Sequence, residues 1–246
     1  MLGLLAATAM QNVRDVGGLA TRDGGSTRAG ALYRSDAPFP GDAAPSLRPW
    51  PPRTVLDLRA ANENGAHPHP LAPPARVVRL PLFGDANPVR IAERPADDLT
   101  DLATIYLDML RTCSPTLVRI VGEVADSQGP VLVHCSAGKD RTGVAIAVML
   151  AAVGVEDAAI VADYRRTEAN LDGIAERLAR TWTGADHGAV IELLTERRPE
   201  LMRAPSAAIE AVLAHLHAWP GSAPGWLLEH GLRRDRLTAL RAKLCG

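Results

Sequence analysis

The first third of the chain alternates short apolar runs with turn-forming residues. Asp23-Gly24-Gly25 and Pro51-Pro52 are typical turn formers, and residues 62–74 and 84–95 have the composition of loops. A short β-like run bounded by turn formers is typical of a strand. Strands are therefore predicted over residues 31–34, 54–58 and 76–80.

From residue 97 onward the apolar positions follow a helical period. Leu102, Ile105 and Met109 fall on one face of a first predicted helix, and Pro115 stands where a second helix would begin. Similar patterns continue toward the end of the chain. Further helices are predicted over residues 156–167, 168–180, 188–197, 205–217 and 233–243.

A continuous apolar run at residues 131–133 separates these helical patterns. It is short and follows the helix-breaking pair Gly129-Pro130, which favours a strand that is buried on both faces. Residues 142–153 are apolar nearly all round, as in a buried helix. Strands in the front half and helices in the back half predict an α/β layered fold. No linker divides residues 1–246, so one domain is predicted, with a helical extension or lid within about residues 160–220.

Composition and charge narrow the function classes. The chain has 246 residues, a formal net charge of -1, 47% hydrophobic and 22% charged residues, which is ordinary for a soluble globular protein. Near-neutral charge argues against a general nucleic-acid binder. Cys113, Cys135 and Cys245 are too widely spaced to suggest a disulfide framework or a zinc site, which favours a reduced, cytoplasmic protein.

The N-terminus carries no recognisable export signal. Residues 1–10 are apolar, but the run is too short to cross a bilayer and lacks the basic region of a signal peptide. A disordered start or a strand packed on the core is expected there. No other stretch is long and apolar enough to predict stable membrane insertion, and export by a non-classical route stays open.

Between the predicted central strand and the buried helix lies the chemistry-bearing segment, His134-Cys135-Ser136-Ala137-Gly138-Lys139-Asp140-Arg141-Thr142-Gly143. A turn here leaves backbone N–H groups without helical partners, next to the positive end of the helix dipole. Such a nest binds anions. The same field favours a thiolate, because a cysteine at a helix N-terminus can have its pKa lowered from about 8.5 to roughly 3.5–7.5. Cys135 is therefore the candidate nucleophile.

Arg141 follows Cys135 closely enough for a cradle-shaped loop to bring its guanidinium back beside the sulfur. A guanidinium fork holds two phosphate oxygens and stays charged at working pH. Gly138 allows the tight turn and a close approach of the backbone to an anion. Thr142 is placed to donate its hydroxyl to the sulfur, and His134 is expected to order the loop rather than transfer protons.

Other interpretations of these residue types are weaker. A buried cysteine can be inert core. Gly138-Lys139 could suggest a nucleotide loop, but the earlier glycine and the following serine or threonine of that motif are missing. His67-Pro68-His69 is interpreted as a loop without partners at ligand spacing, and His215 and His217 face different directions on one helix. No metal site is predicted.

The segment resembles the signature loop of the protein tyrosine phosphatase superfamily. Its Lys139-Asp140 interior is similar to a bacterial and fungal branch of atypical protein and lipid phosphatases. Motifs in matching order extend this resemblance over most of the chain. They are Asn12-Val13-Arg14-Asp15-Val16-Gly17-Gly18, Leu32-Tyr33-Arg34-Ser35, Asp57-Leu58-Arg59 with Glu63, Val161-Ala162-Asp163-Tyr164, and residues 226–244.

The resemblance implies a protein-tyrosine-phosphatase-like fold, with a central, mostly parallel twisted sheet flanked by helices and with extra C-terminal helices. It implies a two-step reaction in which Cys135 attacks phosphorus and water then hydrolyses a cysteinyl-phosphate, without metal or organic cofactor. The expected phosphate-binding residues are Ser136, Ala137, Gly138, Lys139, Asp140 and Arg141.

The resemblance also implies a general acid, an aspartate on a loop that follows a strand well before the signature. Asp85 is predicted, because it follows the apolar run at residues 77–82 at a matching distance. Asp97 and Asp98 are alternatives, but they begin a predicted helix, where they would act as caps.

Four further charged residues have roles that the sequence leaves open. Asp57 and Arg59 are expected to support the loop as an ion pair, although Arg59 could instead touch substrate. Asp140 would repel phosphate unless it turns outward or pairs with a base such as Lys139. Lys139 could steer a second phosphate, as in phosphoinositides, or be a solvated loop charge.

The leading hypothesis is a cysteine-dependent phosphatase that acts on phosphotyrosine, with phosphoserine, phosphothreonine and phosphoinositides as further candidate substrates. Its expected partners are phosphorylated proteins or phosphoinositides. An inactive module that binds phosphorylated ligands is one alternative, and the intact Cys135, Arg141 and Thr142 argue against it. A sulfurtransferase or arsenate reductase is another, since both use cysteine in an anion-binding loop, but a rhodanese loop does not require the Arg-Thr-Gly ending.

Overall fold

The computed structural model describes residues 8–63, 68–82, 102–181 and 203–245. The strands of its sheet are short. They are β1 (Arg14–Asp15), β2 (Leu32–Ser35), β3 (Thr54–Asp57), β4 (Arg76–Arg79) and β5 (Val131–His134). The helices follow β4 and continue after β5. They are α1 (Leu102–Thr112), α2 (Ser114–Asp126), α3 (Asp140–Ala152), α4 (Asp157–Arg165), α5 (Leu171–Thr181), α6 (Ser206–Ala218), α7 (Ser222–Glu229) and α8 (Arg234–Leu244).

The strands form one sheet in the order β1-β2-β5-β3-β4. β1 is antiparallel to β2 at one edge, and every other pairing is parallel. The register aligns the last residues of the three inner strands, Ser35, His134 and Asp57. The carboxyl ends of these strands therefore meet at one edge, which is where ligands bind in parallel α/β sheets. The prediction of a mostly parallel sheet flanked by helices is confirmed.

The alternation of side chains along β5 explains why its apolar run is unbroken. Val131 and Val133 join the main core with the helices, whereas Leu132 points to the opposite face and packs with Tyr33 and Val55. α3 is buried along nearly its whole length. The central strand and this helix are thus held from all sides, which makes the turn between them a well-supported place for a reactive group.

The differences from the predicted elements are local. β1 and α7 were not predicted, because a two-residue strand and an eight-residue helix are too short for a clear period. α3 begins at Asp140, two residues before the predicted start at 142. The predicted helix over residues 188–197 lies outside the described residues. Within the described ranges, no helix combines the length and apolar character needed to cross a bilayer.

Candidate active site

The turn from β5 into α3 passes against the end of β2 at Gly138. Gly138 has a φ of +67°, in the left-handed region that favours glycine. A Cβ at this position would lie 2.2 Å from the carbonyl oxygen of Ser35. Only glycine therefore fits this turn, for reasons of both conformation and space.

The four carbonyl groups of residues 135–138 all accept hydrogen bonds from surrounding donors. The pairs are His134 Nδ1 with Cys135 O at 3.1 Å, Ala37 N with Ser136 O at 3.0 Å, Asn12 Nδ2 with Ala137 O and Gly138 O at 3.1 Å each, and Arg34 Nη2 with Gly138 O at 2.8 Å. In a trans peptide the C=O and N–H groups point in opposite directions. The N–H groups of residues 136–139 therefore face away from these donors.

We call these N–H groups, together with the first turn of α3, the bowl. The helix contributes the positive end of its dipole, and the bowl is consequently suited to an anion. Cys135 follows β5 directly, has 2% of its surface exposed and packs with the main hydrophobic core. The sulfur is thus held in a site from which bulk water is largely excluded.

Arg141, in the first turn of α3, is bound fork to fork by Glu63. Arg141 Nη1 donates to Glu63 Oε2 at 2.6 Å, and Nη2 donates to Oε1 at 2.7 Å. Ser136 Oγ also donates to Glu63 Oε1, at 2.7 Å, so the carboxylate joins the guanidinium to the loop. Sequence reasoning missed this role of Glu63. Its only signal was its position beside the Asp57-Leu58-Arg59 motif.

The guanidinium keeps donors for a phosphate while it is held by Glu63. A guanidinium has five N–H groups, and Glu63 accepts from one on each Nη. Burial by itself lowers the pKa of Arg141, but the hydrogen bonds to Glu63 and the nearby charge of Cys135 raise it above its ordinary value. Arg141 and Cys135 are therefore close enough to interact electrostatically.

Thr142 does not make the contact predicted for it. Its Oγ1 is buried and has no hydrogen-bond partner among the described residues, so the predicted donation to the Cys135 sulfur is absent. A buried hydroxyl without a partner costs free energy, about 1–3 kcal/mol. Thr142 therefore holds a donor unused beside the bowl.

Asp140 and Lys139 form the outer side of the loop. Tyr106 donates to Asp140 Oδ1 at 2.6 Å, and Lys139 Nζ lies 3.3 Å from the same oxygen. Burial and the charge of Asp140 raise the pKa of Tyr106 well above its ordinary value, so its hydroxyl stays protonated. The expected pairing of Asp140 with Lys139 is present. The interpretation of Lys139 as a solvated charge is wrong, because only 3% of it is exposed and its Nζ donates to Arg203 O at 3.0 Å.

A buried ion triad of Asp163, Arg14 and Arg34 connects α4 to the strands next to the loop. Asp163, on α4, accepts from Arg14 Nε at 2.7 Å and from Arg34 Nη1 at 2.6 Å. The other Nη of Arg34 donates to Gly138 O, and Arg14 contacts Asn12. Burial and the neighbouring charge of Arg34 lower the pKa of Arg14 to about 10, which keeps it charged at neutral pH. Arg34 thus contacts the loop directly, whereas Arg14 is connected to it through Asn12, whose Nδ2 donates to two loop carbonyls.

Two histidines and an ion pair cluster where β3 and β5 end. Arg59 donates bidentately to Asp57, from Nε at 2.9 Å and from Nη2 at 2.8 Å. His134 is fully buried, and its Nε2 lies 3.1 Å from the Nε2 of His69. The expectation that the histidine pair at 67 and 69 has no partners is therefore wrong for His69. This contact joins residues 65 positions apart, which no local pattern reveals.

Asp57, His69 and His134 bring three potential metal ligands within 4.8 Å of one another. The hydrogen bonds do not fit a metal ion. Leu71 N donates to His69 Nδ1 at 3.2 Å, whereas a neutral histidine that binds metal through Nε2 carries its proton on Nδ1. The Asp57 carboxylate is already neutralised by Arg59. These residues are better described as a hydrogen-bonded support of the loop.

The predicted general acid is not among these contacts. Asp85 and its alternatives Asp97 and Asp98 lie outside the described residues, as does His67. Their assignments stay predictions from the sequence.

Comparison with known proteins agrees with the geometry of the loop. A sequence profile described as "Tyrosine phosphatase family" matches residues 5–246. A protein named tyrosine-protein phosphatase from Nostoc commune is 30% identical over 77% of this chain and 65% of its own length. A Cupriavidus necator protein with a provisional tyrosine-protein phosphatase name is 31% identical over 84% of this chain and 79% of its own length.

A third relative matches over nearly the whole of both chains. It is named triple specificity protein phosphatase PtpB, comes from Mycobacterium tuberculosis, and is 28% identical over 96% of this chain and 96% of its own length. The resemblance of the loop and its flanking motifs to this bacterial branch is confirmed.

Proposed function

Because the chain belongs to the tyrosine phosphatase family, we propose that it hydrolyses phosphate monoesters, phosphotyrosine above all, with Cys135 as the nucleophile. The observation that supports this proposal is the turn from Cys135 to Arg141, whose carbonyls accept hydrogen bonds from surrounding donors while Glu63 holds the Arg141 guanidinium. Donors fixed before the substrate arrives stabilise a transition state without reorganising during the reaction.

The first step is an in-line displacement at phosphorus. The Cys135 thiolate forms an S–P bond while the P–O bond to the ester oxygen breaks. The departing oxygen takes a proton from a general acid, for which we propose Asp85. The N–H groups of residues 136–139 and the free donors of Arg141 hold the three equatorial oxygens, with Glu63 keeping the guanidinium in place.

The second step releases phosphate and restores the enzyme. Water attacks phosphorus, the same carboxylate takes its proton, and the S–P bond breaks with the electron pair returning to sulfur. The unused hydroxyl of Thr142 is proposed to donate to the sulfur as it leaves, which requires a small movement from its present position. Thr142 would then lower the barrier of this second step in particular.

We extend the proposal to phosphoserine, phosphothreonine and phosphoinositides as further substrates. The name of the PtpB relative, triple specificity protein phosphatase, supports a range of substrates beyond phosphotyrosine. The N–H groups of the bowl are proposed to donate to phosphoryl oxygens, which all these substrates share. Phosphotyrosine remains the first candidate, since the family takes its name from this ester.

The proposal is tested with the purified full chain on an aryl phosphate, on peptides carrying each phosphorylated residue, and on phosphoinositides. Turnover should be unaffected by EDTA, and acid quenching during turnover should trap phosphate on Cys135, as seen by mass spectrometry. Tight binding of these ligands without turnover would instead identify a binding module. Persulfide formation from thiosulfate, or reduction of arsenate, would identify the other cysteine chemistries.

A further inference from the structure

A line of hydrogen bonds runs from the backbone of the β3–β4 connection to the loop that holds the sulfur. Leu71 N lies 3.2 Å from His69 Nδ1, and His69 Nε2 lies 3.1 Å from His134 Nε2. His134 Nδ1 then lies 3.1 Å from the carbonyl oxygen of Cys135. Both histidines are buried, so these contacts take the place of water.

The direction of every bond in this line follows from its first donor. A backbone N–H can only donate, so the Nδ1 of His69 must be the nitrogen without hydrogen. A neutral His69 then carries its hydrogen on Nε2 and donates it to His134 Nε2. That bond leaves the hydrogen of His134 on Nδ1, from which it is donated to Cys135 O. Both histidines are thereby fixed as defined neutral tautomers.

We infer that His69 is a positioning residue of the active site, which sets the tautomer of His134 and through it the orientation of the first amide of the bowl. The peptide that carries Cys135 O also carries the N–H of Ser136. When His134 holds this carbonyl, the N–H of Ser136 points the opposite way, toward the place where the phosphoryl group is proposed to bind. The inference rests on the proposed function for its catalytic consequence, but not for its hydrogen-bond directions.

Burial and the directions of the hydrogen bonds favour the neutral pair. A second proton on His134 would place two N–H groups face to face, and one on His69 would oppose the N–H of Leu71. Burial and the facing His134 lower the pKa of His69 to about 4, and burial lowers the pKa of His134 as well. The groups around the two rings are Asp57, whose Oδ1 lies 3.7 Å from His134 Nε2, with Arg59, Arg79, Arg141 and Cys135.

The first measurement uses the full chain labelled with ¹⁵N-histidine. Two-bond nitrogen–proton spectra at neutral pH should show the Nε2–H tautomer for His69 and the Nδ1–H tautomer for His134. The opposite tautomer at either ring in the wild type, or a positively charged pair, would overturn the inference. This test needs no turnover, and it needs no variant that folds.

The second measurement compares His69→Phe with His69→Gln. Phenylalanine fills the space without a donor, whereas the glutamine amide can still donate to His134 Nε2. We expect His69→Phe to lower kcat/KM by about ten- to a hundredfold, as for a small misplacement of a catalytic group. His69→Gln should recover most of this loss, and His217→Gln, which alters only surface contacts with Asp157 and Arg22, should leave kcat/KM unchanged.

The pH profile separates positioning from a loss of packing. Without the His69 donor, His134 satisfies both Asp57 and Cys135 O only as a cation, so its pKa should rise in His69→Phe. The donor to Cys135 O is then present at low pH and is lost as pH rises through that pKa. His69→Phe should therefore show a new basic limb in kcat/KM that the wild type and His69→Gln lack. An equal loss at every pH would refute the positioning role.

Titration of inorganic phosphate into the same samples separates this inference from the proposed function. Weaker phosphate binding in His69→Phe, with recovery in His69→Gln, supports the inference even if no phosphoester is hydrolysed, a result that would refute only the proposed function. Equal phosphate binding by all three proteins would refute the inference.

Discussion

Glu63 and Arg141 are joined fork to fork, with Nη1–Oε2 and Nη2–Oε1 distances of 2.6 and 2.7 Å, although 78 positions separate them in the chain. Both side chains are almost fully buried. The guanidinium that is proposed to clamp phosphate is therefore aimed by a carboxylate from the turn after β3, and not by the helix that carries it.

Replacing that carboxylate should weaken both stability and catalysis. Removal of one partner of a buried ion pair leaves an uncompensated charge, which costs about 3–5 kcal/mol. Glu63→Gln keeps the shape of the side chain. We expect it to lower the free energy of unfolding in urea by an amount near the lower end of this range, and to reduce kcat/KM about tenfold or more. Glu123→Gln is the matched control, since Glu123 pairs with Arg76 at the surface and should cost less than about 1 kcal/mol.

The same pair predicts a pH dependence of stability. Burial by itself raises the pKa of Glu63, but the hydrogen bonds from Arg141 lower this pKa below its ordinary value of 4.5. A carboxylate with a lowered folded-state pKa stabilises the protein above its unfolded pKa, and this contribution is lost as pH falls through the folded value. The difference in unfolding free energy between wild type and Glu63→Gln should thus be constant above pH 5 or so and shrink at lower pH. A difference that grows on acidification would contradict the ion pair.

Cys135→Ser should abolish turnover without unfolding the chain. A serine hydroxyl is a far poorer nucleophile than a thiolate at neutral pH, and loss of a nucleophile removes catalysis by at least about a thousandfold. Hydrolysis of an aryl phosphate measures the loss, and circular dichroism checks the fold. Cys113→Ser is the control and should retain activity. Near-wild-type turnover in Cys135→Ser would end the proposed mechanism.

Asp85→Asn should affect substrates according to their leaving groups. Alkyl phosphates need protonation of the departing oxygen, whereas aryl phosphates with acidic phenols leave without much help. We expect a loss at least about tenfold greater for the alkyl ester than for the aryl ester. Asp97→Asn and Asp98→Asn test the two alternative acids, and both should affect the alkyl and aryl esters equally. Equal losses on both esters in Asp85→Asn would assign the acid to another residue.

Gly138→Ala should destroy the loop, whereas the same change at Gly24 should be tolerated. Both glycines have positive φ, +67° and +85°, so both substitutions carry conformational strain of about 1–2 kcal/mol. Only at Gly138 does the new Cβ also meet the Ser35 backbone at 2.2 Å, while nothing lies within 4 Å at Gly24. We expect at least about a hundredfold loss of kcat/KM for Gly138→Ala and near-normal activity for Gly24→Ala. Similar activity in the two variants would show that the close contact at Gly138 is unimportant.

The parts of this site that are contiguous in the chain could be predicted from the sequence. The apolar run of β5, the loop from Cys135 to Arg141 and the buried helix α3 lie next to one another, so period and motif together locate them. The strands on either side of β5 were found for the same reason. Their predicted boundaries differ from the observed ones by at most one residue.

The supports of the loop could not be predicted, because they join distant segments through side chains. Asn12 reaches Gly138 across 126 positions, and Arg14 reaches Asp163 across 149. Hydrophobic periodicity carries no information on such hydrogen bonds. The role of Lys139 stayed open for a related reason: a lysine in a polar loop is usually solvated, and only the fold supplies the Arg203 carbonyl that accepts from it.

The way the bowl is held also limits what it can discriminate. Its carbonyls are bound by the protein's own donors, so under the proposed function only main-chain amides and one guanidinium contact the nonbridging phosphoryl oxygens. Such a face reads the phosphoryl group and is blind to the alcohol attached to it. Preference among esters must then come from the side chains that surround the bowl. Exchanging those side chains should change substrate specificity while the reaction at phosphorus stays the same.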